Sequence, residues 1–292
     1  MTTDMCPFLS DKASAKQCPT CKTTQEEVKM LGHEDIIKKC LVDIKKEIKS
    51  AQNSPRLKEI LLLELYKLKR LTTPEEEEIF EVVGKRYVQD ILILIEKLKP
   101  KMNNTEEGQF NLHTGDVLFN LGELQRALDH YLLASEIDPK DKRTWNNLGV
   151  TMVRRGKIKG ALPYYDKAIA LDSTFGSAWF NKGKALFKLG VKKKALACFK
   201  KAVKYSPENK SAWNNLGVTL RQLKKFKESI KCYDKALKIH SEYPWAWHNK
   251  GVALMELKRY KDAMECFDRA LQIDPGYEPS KEIKKEVMRK VM

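Results

Sequence analysis

W145-N-N-L-G-V returns along the chain as W179-F-N-K-G-K, W213-N-N-L-G-V and W247-H-N-K-G-V, each 34 residues after the last. One period upstream, N111-L-H-T-G-D keeps the same glycine, so Gly115, Gly149, Gly183, Gly217 and Gly251 are in phase without a slip. A second cluster follows each glycine at fixed offset: Ala127, Tyr131 and Ala134; Ala161, Tyr165 and Ala168; Ala195, Phe199 and Ala202; Tyr233 and Ala236; Ala263, Phe267 and Ala270. Pro139, Pro207 and Pro275 close three of these units.

Self-similarity at a fixed period of this length marks a chain of stacked supersecondary units. Trp145, Leu148, Gly149 and Met152 fall at i, i+3, i+4 and i+7, one face of a helix, and Ala161, Tyr165 and Ala168 form the facing stripe of a second. Glycine and alanine let the paired helices approach closely while the aromatics fill the remaining angles. Neither helix buries its face alone, so neighbours must supply the missing surface.

The order W-x2-L-G-x2, then A-x3-aromatic, then Pro resembles the tetratricopeptide repeat family over residues 108–277. The resemblance implies an all-α chain: a right-handed α-solenoid, a superhelix of helix-turn-helix units 108–141, 142–175, 176–209, 210–243 and 244–277. Around it the expected organisation is a cysteine-containing segment at 1–24, an N-terminal helical domain and linker at 25–107, and a C-terminal capping helix at 278–292.

Upstream of the repeats, apolar periodicity predicts three helices. One runs from Thr23 or Thr24 through Ile48, one follows Ser54-Pro55, and one follows Thr73-Pro74 with acidic residues at its positive end. Met102–Gly108 reads as a linker. After Pro275 and Pro279, S280-K-E-I-K-K-E-V-M-R-K-V-M predicts an amphipathic helix that covers the open end of the last repeat.

Cys18-Pro-Thr-Cys21 has the gap with which two thiolates grip one tetrahedral ion, and Cys6-Pro lies upstream. With His33 as fourth ligand these make a candidate structural zinc site, and Cys40 is the competing fourth ligand. The same residues also fit an unliganded reduced tail or a redox or iron–sulfur site. Cys198, Cys232 and Cys266 recur at one repeat position, where neighbouring helix axes about 8–10 Å apart are too distant for a disulfide.

The net charge is +16 and the isoelectric point near 9.4, but acidic and basic residues balance up to residue 107, so the excess lies in the repeats and tail. No run reaches the length of a membrane span, and the N-terminus lacks the basic start and apolar core of a signal peptide. The expected setting is cytoplasmic.

On the first helix of each unit, the side opposite the Trp–Leu–Gly face holds Arg143, Asn146, Asn147, Val150 and Arg154, then Phe180, Asn181, Lys184, Phe187 and Lys188. The next two units hold Asn214, Asn215, Val218, Arg221 and Gln222, then Trp245, His248, Asn249, Val252 and Met255. The resemblance implies that these first helices line a concave groove, where Asn147, Asn181, Asn215 and Asn249 hydrogen-bond a bound peptide backbone, an amide offering both donor and acceptor. The family's clamp for a C-terminal carboxylate is not matched here. The expected ligand is a partner segment with apolar and acidic residues, held in a groove.

Gly156-Lys157-Ile158-Lys159, Lys192-Lys193-Lys194, Lys224-Lys225-Phe226-Lys227 and Lys258-Arg259-Tyr260-Lys261 form the turns inside the units. With Lys167, Lys201, Lys235 and Arg269 they make a basic ridge, which gives the alternative of RNA or another acidic polymer as ligand. No HExxH, phosphate-binding glycine loop or GxSxG occurs, so the expectation is a non-enzymatic scaffold.

Overall fold

The computed structural model describes residues 33–50, 89, 91–93, 95–97 and 102–291, and among them the regular elements are all α-helices. They are α1 His33–Ser50, α2 Asn104–Asn120, α3 Leu124–Ile137, α4 Lys142–Arg154, α5 Ile158–Leu171, α6 Gly176–Lys188, α7 Lys192–Tyr205, α8 Lys210–Gln222, α9 Phe226–Ile239, α10 Pro244–Glu256, α11 Tyr260–Ile273 and α12 Glu278–Val291. The chain divides into two compact units, residues 1–151 and 152–292. Most of the cysteine segment, including Cys6, Cys18 and Cys21, lies outside the described residues, as does the helix expected after Ser54-Pro55.

In the first unit, α1 buries Ile44 and Ile48, four residues apart on one face, and the helical residues Ile91, Leu92 and Ile95 are also buried. Gln89 Nε2 donates to Glu123 Oε1 at 2.8 Å, and Glu96 lies 3.7 Å from His130, which ties this helical stretch to the α2–α3 hairpin. Met102–Gly108 is not wholly a linker. Asn103 accepts from the Glu106 backbone N–H, and Glu106 accepts from the Asn103 N–H, a reciprocal cap that starts α2 at Asn104.

The second unit is a solenoid. Its paired helices α6–α7, α8–α9 and α10–α11 stack in chain order, each second helix also packing on the next first helix. The first helices additionally touch one another, α6 with α8, α8 with α10 and α10 with α12, which puts them in one row. The repeat glycine makes this spacing. A Cβ on Gly183 would meet the Phe199 ring at 2.7 Å, and one on Gly251 the Phe267 ring at 2.6 Å.

The half-buried tryptophans have a second function besides filling space. Trp145, Trp179, Trp213 and Trp247 each donate their indole N–H to the carbonyl six residues earlier, at 2.8–2.9 Å, which pins the turns before α4, α6, α8 and α10. Between repeats, Lys182 pairs with Asp166, Lys250 with Asp234 at 2.7 Å, and Lys284 with Asp268. The junction of the third and fourth repeats breaks this ladder on both sides, with Lys200 at the aspartate position and Leu216 at the lysine position, so no like charges face each other. At the end, α12 places Val287, fully buried, and Ile283 against the Leu254–Phe267 cluster.

Candidate functional site

In the first unit, several residues singled out from the sequence converge on one that was not. Asp116, buried on α2, accepts from the Tyr131 hydroxyl and from Asn147 Nδ2 through the same oxygen, both at 2.8 Å. His113 stands 3.9 Å from its other oxygen. Burial first, then the Asp116 charge and hydrogen bond, pushes the Tyr131 phenol well above its usual range, so it stays a donor. Asn146 is buried and donates to Asn147 Oδ1 at 3.3 Å. Val150 joins Asp116, Phe119, Asn120, Tyr131 and Asn147 around a cavity of about 220 Å³. Arg143 is engaged elsewhere, its guanidinium forked onto Asp141 at 2.9–3.2 Å.

In the second unit, the row of first helices carries an uneven charge. Neither α6 nor α8 contains an acidic residue, yet they present Lys184, Lys188 and Arg221. Burial, and then repulsion from Lys188, lowers the Lys184 pKa. The Lys184 ammonium sits 5.4 Å from the Phe180 ring centroid, and Phe180 packs on Phe199 at 6.1 Å. Arg154 ends α4 with its side chain exposed, and Val218 is half-buried on α8.

The asparagine column is held largely by the scaffold. Asn249 Nδ2 donates to the buried Asn214 at 3.1 Å, and Asn215 Nδ2 donates to the Ser211 carbonyl at 2.8 Å. With Asn147 committed to Asp116, Asn147, Asn215 and Asn249 each spend a donor inside the protein.

His248 closes the row. Its Nδ1 lies 2.9 Å from the Oγ of Ser280, a residue of α12 that is fully buried. Burial, with Arg221 adding repulsion, drops its pKa to about 4, so the ring is neutral at pH 7. Beside it Trp245, 53% exposed, leans on Tyr243 and Tyr277 with centroids 5.7 and 6.1 Å away, and the Lys210 ammonium lies 5.2 Å from the Tyr243 ring.

Asp116 and Ser280 are not singled out from the sequence, and Tyr131 and Tyr233 are read there only as packing residues. Asp116 had a visible signal, since the same repeat position holds Val150, Lys184, Val218 and Val252, making it the one acid of its column.

Among the described residues, no group of three or more His, Cys, Asp or Glu side chains is placed to hold a metal ion. The proposed zinc ligands Cys6, Cys18 and Cys21 lie outside the described residues, as does the His33 side chain. No helix among the described residues is long and apolar enough to cross a membrane.

Comparison with known proteins agrees with this architecture. One tetratricopeptide-repeat family model matches residues 176–209 and another matches 211–243 and 244–277. Residues 176–277 are tetratricopeptide repeats. Among solved structures, YrrB, described as a tetratricopeptide-repeat protein with an unusual peptide-binding site, is 24% identical over 62% of this chain and 94% of its own, with a TM-score of 0.53. PilF of Pseudomonas aeruginosa is 21% identical over 65% of this chain and 90% of its own, TM-score 0.56. MamA of Desulfovibrio magneticus RS-1 is 19% identical over 59% and 97%, TM-score 0.53. These likenesses are of fold. No curated protein sequence matches the chain.

A tetratricopeptide-repeat array is in general a surface for holding a partner protein. The repeat glycines and tryptophans here serve helix packing, which leaves the residues between them on the first helices to differ from repeat to repeat.

Proposed function

We propose that this protein is a non-enzymatic scaffold that binds an unstructured segment of a partner protein along the first helices of residues 176–256, and that the segment carries acidic and apolar residues. The observation that carries this reading is the charge of that row: α6 and α8 hold five cations, Lys184, Lys188 and Arg221 among them, and no carboxylate. The aromatic shelf of Tyr243, Trp245 and Tyr277 offers the apolar anchor, and an exposed Trp in contact with two other rings is the kind of side chain on which binding energy concentrates. Arg221 supplies a planar fork suited to carboxylates. YrrB, whose description names a peptide-binding site, shares the fold, but the charge and aromatic arguments rest on residues of this chain.

The lysine turns support a second reading. Lys193, Lys194, Lys224, Lys225, Lys227 and Lys258 are all exposed at the same end of their hairpins, as phosphate tracking requires.

Selection of a random peptide library displayed on phage against the full chain separates the two. The groove reading expects enriched peptides that combine Asp or Glu with an aromatic residue and lose about tenfold or more in affinity for Trp245→Ala or Lys184→Glu, with modest salt dependence. An absence of such peptides, together with binding of polyuridine RNA that falls steeply with salt and depends on Lys193, Lys194, Lys224 and Lys225, would replace it with the polyanion reading.

A further inference from the structure

Tyr131 and Tyr233 occupy the same repeat position three units apart, and their surroundings differ in one respect that has chemical consequences. Tyr131 donates to Asp116, which also accepts from Asn147. At the place equivalent to Asp116 the fourth repeat has Val218, and at the place equivalent to Phe119 it has Arg221. The Tyr233 side chain is fully buried, and among the described residues its hydroxyl hydrogen has no acceptor; the buried Nε of Arg221 has none either. Two buried donors without acceptors are costly, each giving up its hydration without return. An arrangement of this kind is accounted for when something else supplies the acceptor.

The surroundings fix the charge of that acceptor. Arg221 lies beside the Tyr233 phenol, and its charge first, then its contact with the phenol oxygen, partly offsets the rise that burial imposes; a guanidinium only donates, so the phenol O–H itself is left without an acceptor. Arg221 also stands close enough to His248 to help keep that imidazole neutral. Neighbouring α6 adds Lys184 and Lys188, and neither α6 nor α8 brings an acid. A phenol and a guanidinium, both donors, converge where the first repeat has a carboxylate and the fourth has none.

We propose that Arg221 and Tyr233 form a receptor for one carboxylate of the bound segment, an Asp or Glu side chain, which accepts from Arg221 Nε and the Tyr233 hydroxyl as Asp116 accepts from Tyr131 and Asn147. The claim depends on the groove reading only for the source of the carboxylate. His248, anchored to Ser280 on α12, forms the wall on the α10 side. The repeats themselves provide substitutions that preserve packing: Tyr233→Phe installs the residue found at Phe199 and Phe267, and Arg221→Met the one found at Met255.

The test uses the full chain in two arms. In the first, sodium acetate is titrated against matched sodium chloride while the Arg221 Nε–H resonance is followed by nitrogen-15 NMR. Acetate should move that resonance saturably, with Tyr233→Phe weakening the response about 3- to 10-fold, and chloride should not reproduce it. In the second, each acidic residue of a peptide selected as above is changed to its amide. One Glu→Gln or Asp→Asn change should cost about 10- to 100-fold on the wild-type chain and almost nothing on Arg221→Met. Tyr233→Phe should melt at the wild-type temperature or above, because it removes an orphaned donor. If acetate acts no differently from chloride, the inference falls whatever the peptides do. If peptides bind the groove but amide changes cost the same on both chains, the inference falls and the groove reading stands. If acetate saturates and no peptide is selected, a peptide carboxylate is not the occupant and both fail.

Discussion

Gly217 and Tyr233 are in such close contact that a Cβ on the glycine would meet the tyrosine ring at 2.5 Å, closer than real Cβ atoms come to any neighbour. The ring is fully buried and held by a second helix, so it cannot retreat as a flexible side chain would. Alanine gains about 1 kcal/mol of helix propensity over glycine, but overpacking a filled core costs about 1–3 kcal/mol and more where a rigid ring is the obstacle. Gly217→Ala should therefore lower stability by about 2 kcal/mol, read from urea unfolding. Gly160→Ala is the opposite case. There a Cβ meets only the terminal methyl of Met152 at 3.0 Å, and the same substitution should be neutral or stabilising by up to about 1 kcal/mol.

That contrast marks what could be read in the sequence. The 34-residue phase assigned Gly183, Gly217 and Gly251 to close approach of the paired helices, and the structure adds that what each glycine makes room for is the aromatic ring of the second helix. The phase works because each unit solves the same packing problem with residues near in sequence. It says little where the partners belong to different repeats. Asp116 reaches Tyr131 15 residues away and Asn147 31 residues away, a trio that only stacking brings together. The donors of Asn147 and Asn249 likewise go to residues of the preceding repeat, which periodicity does not name. The paired exchange of Lys200 and Leu216 was on view in the sequence, but its meaning depends on knowing that Asp166 faces Lys182.

Lys224 and Lys258 take φ of +60°, where the equivalent turns use Gly122, Gly156 and Gly190 at φ near +80°. The left-handed region costs a non-glycine residue about 1–2 kcal/mol, while glycine costs roughly 0.5–1 kcal/mol in unfolded-state entropy. Relief of strain is the larger effect. Lys224→Gly and Lys258→Gly should each raise stability by about 0.5–1 kcal/mol, seen as higher melting temperatures, and their combination should be close to additive because the two turns belong to different repeats. A drop in stability for both would show that the lysine side chains contribute more than their backbone strain removes.

Cys198, Cys232 and Cys266 are free and buried, and burial pushes Cys232 and Cys266 up to about 11. The thiolate is the reactive form, so these cysteines should resist iodoacetamide at pH 7.5 in the folded protein and react when urea unfolds it. The linkage follows from the direction of the shift. A thiol whose pKa is raised by folding contributes its full stability below the unfolded value near 9 and loses it as pH climbs through about 11. Urea midpoints should fall over that alkaline window, and Cys232→Ala with Cys266→Ala should flatten the part of the decline that these thiols cause.

His248 makes the acid-side prediction. Its pKa falls from 6.5 to about 4, through burial first and Arg221 second, and its nearest polar partner is Ser280 on α12. Folding thus favours the neutral ring, so the unfolded chain binds the proton more readily and stability is lost as pH drops from about 6.5 toward 4. Because Ser280 belongs to the last helix, the loss should begin at the C-terminal end, with amide hydrogen exchange in α12 and α10 rising before that in α6. His248→Gln keeps a polar group for Ser280 and removes the titration. In that variant exchange in α12 should be nearly flat between pH 6.5 and 4.5, whereas an unchanged profile would place the acid sensitivity in other groups.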